Sequence, residues 1–157
     1  MPVYELDFNV CDSNEYSLIG IHTTLNDYKL AYLLNGILNS LFKKASYCLD
    51  IKIKNDVKTS FSVYEYLNLK SDHNWFLINN VSKHKIKSEE IGLFAENTVT
   101  NYLVPEKKKV DYFIKIEGDF DYTFIENAVQ KIKQIPQVIT SYQIEVDTLK
   151  SKDFLIF

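Results

Sequence analysis

The sequence predicts an α+β fold, a two-layer sandwich of one mostly antiparallel or mixed sheet with two helices on one face. Three observations predict it. Short runs in which apolar and polar residues alternate recur along the chain, the signature of half-buried strands. Residues 26–44 and 123–135 instead place apolar side chains at three- and four-residue steps, the signature of amphipathic helices. Each helical run lies between two strand-like runs, giving two β-α-β units, 16–53 and 110–146, with a hairpin between them. With 157 residues, 46% hydrophobic and 14% aromatic, the chain reads as a single α+β domain, 1–157, with a real core.

Residues 3–10 alternate Tyr4, Leu6, Phe8 and Val10 against Glu5, Asp7 and Asn9, which predicts a strand; Cys11 to Asn14 is turn-forming. Residues 16–22 are more apolar and predict a more central strand, with Gly20 allowing a neighbour to approach closely. Thr24-Leu25-Asn26-Asp27 has capping-box spacing, with the acidic partner shortened to Asp. Leu30, Leu33, Leu34, Ile37, Leu38, Leu41 and Phe42 then form one stripe, closed by Lys43 and Lys44 where the helix dipole favours cations. Gly36 inside it implies a close packing contact. Strands follow at 47–53, 61–69 and 75–78, the last two as a hairpin. In the second of these, Phe61, Val63, Leu67 and Leu69 alternate with Tyr64 and Tyr66, which predicts a tyrosine-bearing outer face. Residues 82–90 are charged and aperiodic and read as a loop or frayed turn; 91–103 read as extended or irregular chain. Thr123 to Glu126 again has capping-box spacing, and Pro136 stops the second helix. Residues 138–146 alternate as a strand, and 154–157 as an edge strand or a segment tucked onto the sheet.

The most informative order of residues is Val104-Pro105-Glu106-Lys107-Lys108-Lys109-Val110-Asp111-Tyr112. Pro105 cannot occupy a central strand and pushes Val104 to an extended conformation. Three successive lysines want water. The alternation from Val110 puts Val110, Tyr112, Ile114 and Ile116 on one face, and Phe113 on a wet face with Asp111, Lys115 and Glu117. This nonapeptide resembles the signature of the bacterial IPExxxVDY family, with Val104 in place of Ile, a nearly volume-conserving change. Leu18 to Ile21, Asp27 to Tyr32 and Leu149 to Lys152 share the resemblance, so it spans nearly the whole chain. It implies a small cytoplasmic protein with no assigned activity and carries no catalytic residues over.

A formal charge of −3 and a sequence without arginine argue against autonomous nucleic-acid binding, which needs a phosphate-neutralising stripe. Residues 1–5 do not read as a signal peptide, and no apolar run reaches the ~20 residues a membrane span requires. The expected compartment is the cytoplasm, with Cys11 and Cys48 unpaired, Cys48 as a small core hydrophobe. Glycine-rich phosphate loops, zinc-ligand spacings and nucleophile elbows are absent from the sequence, and His22, His73 and His84 have no ligand spacing. His22 ends a strand and reads as a satisfied histidine or a general base. No catalytic residue, cofactor or metal is expected. The function read from these features is a non-catalytic protein-interaction or regulatory module, possessing a protein partner or forming a homodimer. Its candidate surface is Glu106, Lys107, Lys108, Lys109 and Asp111 at the motif, with Tyr64 and Tyr66 on the sheet. The alternatives are a small-ligand sensor of ferredoxin-like type and an accessory factor to an RNA-processing enzyme, since sheet aromatics can stack bases.

Overall fold

The computed structural model describes residues 16–53, 57–87, 96–118 and 120–157. The strand predicted at 3–10 and the turn with Cys11 lie outside them. Strands β1 (Tyr16–Thr23), β2 (Lys43–Ile53), β3 (Val57–Asn68) and β4 (His73–Asn79) are joined in one sheet by β7 (Tyr112–Glu117) and β8 (Val138–Ile144). Between β4 and β7, β5 (Val81–Lys87) and β6 (Glu96–Tyr102) pair as a separate hairpin. The helices are α1 (Asp27–Leu38), after β1, and α2 (Tyr122–Lys133), after β7. The six-stranded order is β2-β3-β4-β7-β1-β8, and every neighbouring pair is antiparallel. Both expected β-α-β units are present. The strands β7 and β8 flank β1, and β1 and β2 are separated by three others.

Both helices cover one face. Ile19, Ile21, Leu77, Ile114 and Ile116 of the sheet meet Leu30, Ala31 and Leu34 of α1, and Ile125, Ala128, Val129 and Ile132 of α2. The first helix is shorter than its apolar stripe. Asn39 takes the left-handed conformation, at φ 56°, a common way to end a helix. Asn35 then latches the returning chain: its Oδ1 accepts from Phe42 N at 2.7 Å and its Nδ2 donates to Phe42 O at 3.2 Å. Phe42 is thereby buried edge-on to Trp75, at 6.5 Å, and Lys43 and Lys44 open β2 instead of closing α1. The expected capping box at Thr24 does not form. Asn26 is the N-cap with no side-chain cap bond, while Thr23 Oγ1 accepts from Leu25 N at 3.2 Å. At α2, Asp121 caps by accepting from Phe124 N at 2.9 Å, ahead of the expected pair Thr123 and Glu126. Gly20 does admit a neighbour: a Cβ there would lie 2.8 Å from Ile144 Cδ1. A Cβ on Gly36 would meet nothing within 4 Å, so the expected close contact is absent.

The strand pairing overturns the exposed tyrosine face. Tyr64 pairs with Leu77, which pairs with Ile114, and paired residues share a face. That face is the one under the helices. Tyr64 is therefore buried, and Tyr66 packs partly buried against the same cluster. Burial pushes the Tyr64 hydroxyl pKa up, with Asp27 adding to the rise.

The opposite face of the sheet is not wet either. Leu18, Phe61, Val63, Phe76, Ile78 and Phe113 form a second core there. Leu103, Val104 and Val110 of the motif segment cover it, together with Leu149 and Leu155 of the C-terminal segment. The last residues are thus tucked onto the sheet, through a short 3-10 turn at Lys152–Leu155. Val110 belongs to this second core because β7 begins only at Tyr112; the turn before it rotates Val110 out of the strand's alternation. Lys115, expected in water, is 3% exposed. Its Nζ lies 2.8 Å from Glu117 Oε1 and over the rings of Tyr16, Phe76 and Phe157, at 4.9, 5.5 and 4.4 Å from their centroids. Burying an ammonium is tolerable only when it is paired in this way.

Residues 82–87, within the 82–90 stretch expected as a loop or frayed turn, belong to β5 because 96–102 supplies a paired partner strand. Among the described residues no helix is long and apolar enough to cross a membrane.

Candidate functional site

The motif is organised by a residue outside it. Asn80, between β4 and β5, is fully buried. Its Nδ2 donates to Lys107 O at 2.9 Å and to Val110 O at 2.7 Å, and its Oδ1 accepts from Val104 N at 2.8 Å. Its backbone is also committed: Asn80 N donates to Asp111 O and Asn80 O accepts from Leu103 N. One side chain therefore satisfies three backbone groups of the motif loop, two of them buried, which would otherwise carry a desolvation cost.

The motif side chains are then used internally. Pro105 opens a one-turn 3-10 helix, Pro105–Lys107, with Val104 extended before it, as its fixed φ favours. Glu106 reaches the C-terminal segment, accepting from Ser151 N at 2.7 Å and from Ser151 Oγ at 2.9 Å. Asp111 Oδ2 accepts from Thr23 N at 2.9 Å, tying the start of β7 to the end of β1. Tyr112 is buried, as expected, and its hydroxyl donates to Leu25 O at 2.8 Å. Burial pushes the Tyr112 pKa well above the ordinary tyrosine range, assisted by the carboxylates of Asp27 and Asp111 and by Tyr64. Of the candidate surface, Glu106, Lys108 and Lys109 are exposed, and Lys107 and Asp111 half-buried. Lys108 Nζ stands 5.7 Å from the Tyr102 ring centroid. The structure thus separates the expected surface into three: a pair of bracing carboxylates (Glu106 and Asp111), a lysine crest (Lys107 to Lys109), and two tyrosines packed into the helix-side core, Tyr64 buried and Tyr66 partly buried.

Glu106 gives a pH-dependent prediction. Desolvation alone would raise its pKa, but hydrogen bonds from the Ser151 amide and hydroxyl and from neighbouring amides outweigh it, so the net shift is downward. A depressed carboxyl contributes stability above its unfolded pKa and loses it as pH falls through the folded one. Glu106→Gln is expected to be less stable than the parent at neutral pH, with the gap closing below about pH 4, where the unfolded carboxyl also protonates. Denaturant titrations of both chains at neutral and acid pH test this; a gap of equal size at both would refute it.

A polar cleft of about 520 Å³ opens beside the motif. Thr23, Thr24 and Asn26 line it at the start of α1, with Lys83 of β5 and with Asp111 and Tyr112. On the other side of Leu25, the outer face of α1 forms a more apolar depression of about 590 Å³ with Tyr28, Tyr32, Leu33 and Gln137. Tyr28 and Tyr32 are 57% and 77% exposed.

The histidines serve contacts. His22 Nε2 lies 3.0 Å from Tyr142 Oη on the exposed side, His73 packs on Phe120 at 4.1 Å, and His84 meets Ser82 Oγ. Cys48, expected in the core, is exposed. No group of three or more metal-ligating side chains occurs among the described residues. No family profile, curated protein or solved structure matches the chain.

Sequence reasoning missed Asn80, Ser151 and the α1 tyrosines. The Asn79-Asn80 pair did interrupt an apolar run, but nothing in it shows which asparagine turns inward. Tyr28 and Tyr32 stand four residues apart, off the apolar stripe, and that spacing alone placed them together on the outer face.

Proposed function

We propose that the chain is a non-catalytic interaction module that binds a protein partner through the outer face of α1, with the motif bracing the fold behind it. The observation that supports this is the exposure of Tyr28 and Tyr32, one helical turn apart beside an apolar depression. Tyrosines supply large, amphipathic contact area and are enriched at interface cores. Lys29 lies between them and gives the patch a cationic rim. The lysine crest at Lys107 to Lys109 adds long-range attraction toward an acidic partner.

The test is capture from native lysate with the parent chain and with Tyr28→Ser/Tyr32→Ser. The double variant should melt within a degree or so of the parent, because surface changes cost little, and should lose the captured partner. Equal capture by both chains would refute the reading. A second reading, a small-ligand sensor, is favoured by the polar cleft, where Lys83, Asp111 and the start of α1 converge. It requires a small polar metabolite that raises the melting temperature of the parent but not of Lys83→Ala. The RNA-accessory reading loses its stacking platform, since Tyr64 and Tyr66 lie under or against the helices.

A further inference from the structure

We infer that two copies of this chain pair edge to edge through β8, antiparallel about a two-fold axis at Tyr142, joining their sheets into one. Among the described residues the sheet ends on β8, which pairs there with β1 alone. Its sequence, VITSYQI, carries no charge. The opposite edge, β2, is studded with Lys43, Lys44 and Lys52 and has a register irregularity. Charges and bulges are how folds prevent edge pairing; both edge strands have a register irregularity, and only β2 adds charges to it.

The register follows from the residues. The pairing of β8 with β1 is regular from Thr140 to Ile144; the irregularity sits at Ile139, between the His22–Thr140 and Thr23–Val138 pairs. The regular stretch is centred on Tyr142. In a two-fold pair about that residue, Ser141 of one copy opposes Gln143 of the other, and Thr140 opposes Ile144. Ser141 and Gln143 share the helix-bearing face, because they pair with Ile21 and Ile19. Ser141 Oγ is buried without a hydrogen-bond partner among the described residues, whereas Gln143 is exposed. The pairing brings an exposed amide to each orphan hydroxyl, which a buried polar group requires. Tyr142 opposes its own copy on the other face, its hydroxyl already held by His22 at 3.0 Å.

The helix layer is complementary as well. A groove of about 160 Å³ runs between α2 and β8, bordered by Tyr122, Glu126 and Lys133 on the helix. The two-fold axis sets α2 antiparallel to its copy, so that Glu126 of one faces the Lys133 end of the other. Tyr122 is 70% exposed and Ile139 73%, and both lie along this seam. A second copy fits better than an unrelated strand, because only self-pairing matches Ser141 with Gln143 and Glu126 with Lys133 twice.

Sedimentation equilibrium of the parent chain should show a dimer. Tyr142→Lys and Tyr142→Glu each place like charges opposite one another and should weaken self-association roughly tenfold or more. An equimolar mixture of the two should recover a heterodimer, read by mass in native mass spectrometry. Glu126→Lys and Lys133→Glu, both on exposed positions, should each weaken the dimer, and the double swap should restore it. A monomeric parent would overturn the inference. So would a dimer indifferent to these changes, or a folded mixture that stays monomeric. An edge that instead captures an extended peptide would show as a monomeric parent. Tyr28→Ser/Tyr32→Ser should dimerise like the parent, which separates failure here from failure of the α1 reading.

Discussion

Asn80→Ala should destabilise the protein by roughly 3–5 kcal/mol, because it strands two buried backbone groups and one part-buried one at once. The N–H of Val104 and the carbonyls of Lys107 and Val110 all lose their partner. Val104 and Val110 are fully buried, so solvent cannot replace the lost bonds without opening the loop. Opening it would uncover the second core, where both valines pack on Phe113 and its neighbours. The loss is read from the denaturant midpoint at unchanged slope. A shift worth less than about 1 kcal/mol would mean that the loop is satisfied in some other way. Asn80→Asp is a sharper companion: it keeps the acceptor for Val104 N but loses both donors, so it should destabilise strongly as well.

Phe113→Ala should cost about 3–5 kcal/mol, as fully buried phenylalanines do. The outcome separates two pictures of β7. With one wet face, Phe113 would be a surface residue and its truncation nearly silent, within about 0.5 kcal/mol. With both faces covered, as the structure has it, the change leaves a cavity between Val110, Leu149 and the sheet. Urea unfolding of the parent and the variant decides between them. A near-silent variant would also remove the reason for Lys115 to stand beneath aromatic rings.

Periodicity by itself determined the class of this fold. The strands at β1, β4, β7 and β8, both helices and the two β-α-β units were legible because each is a local pattern whose period the backbone imposes. Tyr112 was legible as buried for the same reason, since its neighbours two and four residues on are isoleucines. Tertiary structure decided what lies above each face. Alternation says that Tyr64 and Phe113 point to opposite sides from their neighbours, but not that the Tyr64 side carries the helices or that the Phe113 side carries the motif and C-terminal segments. The covering pieces, Val104, Leu149 and Leu155, are distant in sequence, and their own stretches have no period to announce them. The helix end at Leu38 was hidden for a related reason. Leu41 and Phe42 continue the stripe, and only the latch of Asn35 on Phe42 turns the chain back into the sheet. The motif shows the division most sharply. Its residue types were readable as a proline-led turn into a strand. That Glu106 holds Ser151 and Asp111 holds Thr23 could not be read, because a carboxylate in a polar stretch looks solvated until the fold delivers its donors.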